Sequence, residues 1–242
     1  MAKIFRPDWD LSVNAARGEI LLYGPIGGGF FFDGIEPKEF AEAVRELRGK
    51  EILVRINSPG GLYSAGVAML NALRSHNRPV TTQVDAEASS AASLVAMGGK
   101  VIRIADNATM MIHEPWGGAL GTASDLRAEA DKLDLFRDNA AQTYAKRSGQ
   151  QLEQILEWMA AETWFSATEA LEAGLADEIG EPLKVAAYAD RSRFPYQHAP
   201  DFLVAKPPSK SSRKACINKE FRAKLERMRA ACESARAKKA LH

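Results

Sequence analysis

Cysteine is scarce in this chain, 2 of 242 residues. Both, Cys216 and Cys232, lie near the C-terminal end. On a helix, their sixteen-residue separation is about 24 Å, too far for an intrachain disulfide. Two isolated thiols do not make a metal site either. The expectation is a reducing compartment, with no metal and no cofactor. No apolar run approaches the roughly 18 residues of a membrane-spanning helix. Met1 to Asp10 carries charges where a secretion leader needs an apolar core, so a cytoplasmic protein without a signal peptide is expected. Gly27-Gly28-Gly29 lacks the lysine of a phosphate-binding loop, which removes the sequence basis for nucleotide hydrolysis. There is no internal repeat. Histidine is the other shortage: only 4 are present, which leaves few bases for acyl-transfer chemistry.

What is present is an ordinary globular composition, 46% hydrophobic and 26% charged, sufficient for one sizeable core. The net charge of +1 hides an asymmetry. From Asp190 to His242 there are 14 Lys and Arg against 5 Asp and Glu, a balance of +9; the other 189 residues carry 18 against 26, a balance of −8. Such a basic end suits an acidic partner or is simply a solvated helix. Aromatic residues are sparse among its charges, which argues against single-strand nucleic-acid binding beyond weak contact.

Short β-rich runs alternate with helical stretches from residue 18 to about 187. Glu19–Tyr23 reads as a strand, and Pro37 suits the first position of a helix carrying Phe40, Ala43, Val44 and Leu47. Ile52–Ile56 is a nearly continuous apolar strand of the kind buried on both faces. It runs into the turn Asn57-Ser58-Pro59-Gly60-Gly61. A helix is expected over 64–75, then strands at Val80–Val84, Val101–Ile104 and Thr109–Ile112. Between the first two of these lies the small-residue segment Ala86–Ala92. Strand, helix, strand repetition argues for parallel βαβ units in an α/β fold. A long helix over 124–147 carries the stripe Leu126, Ala130, Leu133, Ala140 and Tyr144, with Gly149 as its stop. Ser166 to Glu169 is a capping-box pattern opening a further short helix that Gly174 closes. The organisation expected is one domain over 1–187, a Pro/Ser-rich basic linker over 188–215, and a basic helical tail over 216–242.

Of the histidines, His76 sits at a helix end, and His198 and His242 fall in the linker and at the terminus. His113 directly follows a strand, and strand ends are where α/β sheets place ligands. Ala88-Ser89-Ser90-Ala91-Ala92-Ser93 follows strand Val80–Val84. A serine in the first turn of a buried helix there can face a cleft beside main-chain N–H groups; an N-cap on a tightly packed helix is the plainer reading. Paired Gly60 and Gly61 let a loop approach a substrate backbone closely, although such pentapeptides usually form ordinary turns.

The order of these pieces carries more than any one of them. Asn57 to Gly61, Ser90 to Gly98, Met111 to Pro115, Ser148-Gly149-Gln150, and Glu169-Ala170 with Gly174 to Asp177 resemble, in sequence and order, the Clp protease proteolytic subunit family. The likeness covers about residues 18–182 and looks closest to the branch that tailed bacteriophages encode as head maturation proteases. It implies a ClpP/crotonase-like spiral of repeated ββα units with a protruding handle helix, the handle falling on the long helix. It also implies a serine endopeptidase in which Ser90 is the nucleophile and His113 the base. Ser89 and Ser93 compete with Ser90, Ser89 more strongly. The N–H groups of Gly61 and Ala91 fall on the oxyanion donors. The family's aspartate falls on Glu162, one methylene longer, with Asp177 as a weaker substitute. Homo-oligomeric, heptameric rings and protein substrates follow from the same likeness, with capsid or scaffold proteins for the phage branch. The alternatives are an ATP-dependent proteolytic subunit working with a separate unfoldase, a crotonase-like enzyme acting on acyl-CoA, and a non-catalytic ring-forming assembly protein.

Overall fold

The computed structural model describes residues 10–28, 33–181 and 198. The linker and tail expected after residue 187 lie outside the described residues except for His198, as do the cysteines. Among the described residues, eight strands form one sheet: β1 (Asp10–Asn14), β2 (Glu19–Tyr23), β3 (Ile52–Ser58), β4 (Val80–Ser89), β5 (Val101–Ala105), β6 (Thr109–Ile112), β7 (Thr163–Ser166) and β8 (Glu178–Gly180). The helices are α1 (Pro37–Glu46), α2 (Tyr63–Arg74), α3 (Ala91–Ala96), α4 (Ala123–Ser148), α5 (Leu152–Ala160) and α6 (Ala167–Glu172). Among the described residues, no helix is long and apolar enough to cross a membrane.

The strand order is β1-β2-β3-β4-β5-β8, parallel except for the antiparallel β1–β2 hairpin. This is the expected α/β architecture. Alternating burial along β2 and β3 puts Ile20, Leu22, Ile52, Val54 and Ile56 into a core closed by Phe40 and Val44 of α1 and by Met69, Leu70 and Leu73 of α2. Burying each such side chain is worth about 1.5–3 kcal/mol.

β4 is the pivot of the sheet. Its first half, Thr81–Val84, pairs with β5, and its last three residues, Glu87–Ser89, pair instead with β6. β6 in turn pairs antiparallel with β7. The pairing with β3 slips over the same stretch, Ile56 facing Val84 but Ser58 facing Ala88. A strand that changes partners opens the sheet where it does so, and Ser90 follows at once. The segment Ala86–Ala92 is therefore split between strand and helix. Ser90 does not occupy the first helical turn, as the sequence suggests, but the N-cap position before Ala91.

α4 opens on a capping box between Thr122 and Asp125 and stops at Gly149 in the left-handed conformation, φ 76°. Only its C-terminal third, through Ala140, Ala141 and Tyr144, is buried against its own domain. Leu126, nearer the start, is 48% exposed.

Candidate active site

Four segments meet at the end of β4. The first is the elbow at Ser90, with φ 54° and ψ −121°. Its backbone is pinned from several sides. The Ser90 N–H donates to the Met111 carbonyl of β6 at 3.0 Å, and the Ser90 carbonyl accepts from the Ser93 hydroxyl at 2.6 Å. This elbow turns the Ser90 side chain out of the core. Its hydroxyl oxygen lies 2.7 Å from His113 Nε2. The two competing serines point elsewhere: the buried Ser89 hydroxyl donates to Glu87 at 2.7 Å, and Ser93 also lies 2.8 Å from the Tyr144 hydroxyl.

The second segment is Asn57 to Gly61. Gly60 and Gly61 adopt φ 88° and 150°, which side chains avoid. A Cβ on Gly60 would come within 2.5 Å of the Ser89 carbonyl oxygen and 2.8 Å of Ser90 Cβ; one on Gly61 would come within 2.0 Å of the Ile26 carbonyl oxygen. The double glycine thus lays bare main chain against the elbow. Ala91 is the first residue of α3, so its N–H has no acceptor within the helix. Gly60 packs on the elbow, its added Cβ falling 3.0 Å from the Ala91 nitrogen, and Gly61 follows it in the chain.

The third and fourth segments carry His113 and Glu162. β6 and β7 pair with Ile112 opposite Thr163, so the next pair across the ladder is His113 and Glu162. One carbonyl locks this arrangement: Met159, in the last turn of α5, accepts from the N–H of Glu114 and from the N–H of Glu162, both at 3.1 Å. Burial pushes the His113 imidazole down to about 4, while the charge of Glu162 works against that shift. At neutral pH the imidazole is therefore uncharged. Glu162 itself is in the left-handed region at φ 49°. Ser90 and Glu162 are the two non-glycine residues with positive φ among the described residues, and such strain gathers at functional sites. Asp177 is not in this cluster. It accepts from the Ile102 N–H at 2.7 Å and pairs with Arg147.

A cavity of about 670 Å³ lies at the start of β4, among Arg74, Arg78, Lys100, Lys146 and Arg147, and does not include Ser90. Arg74, Lys146 and Arg147 stand in the last turns of α2 and α4, where cations offset the helix dipoles. The motifs named Ser90 and His113, and the structure brings the two side chains within 2.7 Å. The sequence placed no element at α5 or β7, which flank Glu162. The pairing of β6 with β7 is a long-range contact that no local pattern displays.

A serine hydroxyl 2.7 Å from an uncharged imidazole, with a carboxylate near that ring, resembles the arrangement by which serine hydrolases make an acyl-enzyme. The fold around it belongs to a peptidase lineage. Residues 41–182 match the Clp protease family model, and the chain belongs to that family. It is 38% identical over 132 residues to the ATP-dependent Clp protease proteolytic subunit of Pleurastrum terricola, covering 54% of this chain and 67% of that protein. Among solved structures, a ClpP1 mutant from Listeria monocytogenes superposes with a TM-score of 0.61 at 23% identity, covering 69% of this chain and 93% of that one. That likeness establishes a ClpP-like fold.

Proposed function

We propose that this chain is a serine endopeptidase with Ser90 as nucleophile, His113 as general base and acid, and Glu162 as the third member. The observation that carries the reading is the 2.7 Å contact between Ser90 Oγ and His113 Nε2. The Ser90 hydroxyl attacks the scissile carbonyl carbon and its proton passes to Nε2. The N–H groups of Gly61 and Ala91 hold the oxyanion. The imidazolium then gives its proton to the leaving amine nitrogen as the C–N bond breaks, leaving an ester on Ser90. Water repeats the sequence and frees the carboxylate product. Burial disfavours the charged imidazole, so the Glu162 carboxylate is what makes the imidazolium intermediate accessible. Loss of one oxyanion donor typically costs roughly a hundredfold or more.

The test is hydrolysis of an unfolded protein such as casein. Ser90→Ala and His113→Ala should each lower kcat by roughly a thousandfold or more, while Ser89→Ala retains most of it. Retained activity in Ser90→Ala refutes the assignment.

As in its family, the assembly is a homo-oligomeric ring acting on protein substrates. The finer reading is a phage head maturation protease acting on capsid or scaffold proteins. The likeness of the motifs to that branch and the basic C-terminal segment support it. The other reading, favoured by the Pleurastrum relative, is a proteolytic subunit fed by a separate unfoldase. Co-expression with an assembling phage scaffold separates them. Cleavage that needs Ser90 and no ATP supports maturation, whereas degradation of folded protein only with an unfoldase and ATP supports the second.

A further inference from the structure

The Glu162 carboxylate has two donors on one oxygen. Trp164 Nε1 donates to Oε1 at 3.3 Å, and the main-chain N–H of His198 donates to the same Oε1 at 2.7 Å. Trp164 is two residues along β7 and reaches back to the same side of the strand. His198 is 36 residues away in sequence and lies beyond the last strand, β8. His198, one residue of the stretch that composition marks as linker, therefore touches the acid of the proposed triad.

We propose that the His198 main-chain N–H and the Trp164 indole are positioning groups for Glu162, so that a residue beyond the last strand completes the active site. This rests on the triad reading above. The need for such groups follows from the residue type. Glutamate has one more rotatable bond than aspartate, and a half-buried glutamate has more ways to turn from an imidazole. A carboxylate held on one oxygen by two N–H donors is restricted to few rotamers. The His198 contribution is a backbone group, so the identity of its side chain is immaterial and the loss of its N–H is not.

That distinction gives the experiment, done on the full-length assembled protein with a fluorogenic peptide. His198→Pro removes the donor and His198→Ala keeps it. The expected result is a kcat lower by roughly three- to tenfold in His198→Pro with KM little changed, and His198→Ala within about twofold of wild type. Trp164→Phe, which keeps the ring and loses the N–H, should show a similar loss, and the double variant a larger one. In His198→Pro and Trp164→Phe the acid limb of kcat/KM should move in the same direction as in Glu162→Gln, a shift that a fold defect does not produce. His198→Pro matching His198→Ala, or exceeding wild type in kcat, overturns the proposal. Full activity in Glu162→Gln, with Ser90 still reactive, refutes instead the triad reading on which it rests.

Discussion

A serine held at φ 54° and ψ −121° costs about 1–3 kcal/mol of backbone strain, and the hydrogen bonds of Ser90 to Met111 and Ser93 hold it there. The price is met by packing because only this turn points a hydroxyl at His113. Two titrations follow at this scale. His113 is lowered from 6.5 to about 4, so the folded protein binds fewer protons than the unfolded chain between those values. Its contribution to stability is present above about 6.5 and is lost as pH falls toward 4. The same shift places the acid limb of kcat/KM well below the ordinary histidine range, a limb read directly from a pH–rate profile. Glu87 behaves oppositely. Burial raises it from 4.5 to about 7 against the Ser89 hydrogen bond, and its Oε2 has no partner. The folded state then holds the extra proton, and stability falls as pH rises from 4.5 toward 7. Glu87→Gln should gain on wild type by up to about 3 kcal/mol between acidic and mildly alkaline pH, as measured by denaturant unfolding at each pH. A pH-independent difference contradicts this account.

At the scale of elements, the legible parts are those whose reasons are local. Pro37 opens α1, Gly149 ends α4, Thr122 with Asp125 and Ser166 with Glu169 form capping boxes, and the apolar run at Ile52 is a central strand. The parts that escaped sequence reading have non-local causes. β1 exists because Asp10–Asn14 pairs with β2. β4 continues to Ser89 because β6 and β3 are there to pair with it. Small residues from Ala86 onward carry little strand propensity of their own. Glu162 illustrates the conflict between local preference and function. It stands two residues beyond α5 in the left-handed conformation that glycine or asparagine normally takes after a helix. Glu162→Gly should therefore leave the thermal midpoint unchanged or higher while activity falls by roughly a hundredfold or more. A clear drop in midpoint would show that the side chain is there for stability.

On the scale of the whole molecule, the first turns of α4, before Leu133 and the Phe136 ring stacked on Tyr63, are exposed. Its buried residues stop at Ala140, and Leu126 is 48% exposed. In a ring-forming family, such a helix is the natural contact between copies. Leu126→Glu should shift the assembly toward smaller species in native mass spectrometry, with helix content retained. An unchanged mass distribution removes this residue from the contact. The basic segment after residue 190 belongs to the same scale, since its charge of +9 against −8 for the rest suits recruitment by an acidic partner. Deleting residues 206–242 should then reduce incorporation into particles, scored by particle composition, without changing peptide hydrolysis.

The account turns on one hydroxyl being made nucleophilic by one imidazole. Treatment of the assembled protein with a fluorophosphonate, followed by peptide mapping, reads this directly. The predicted result is a single adduct on Ser90 that is lost in His113→Ala. An adduct on Ser89 or Ser93, or labelling of Ser90 that survives the loss of His113, contradicts it.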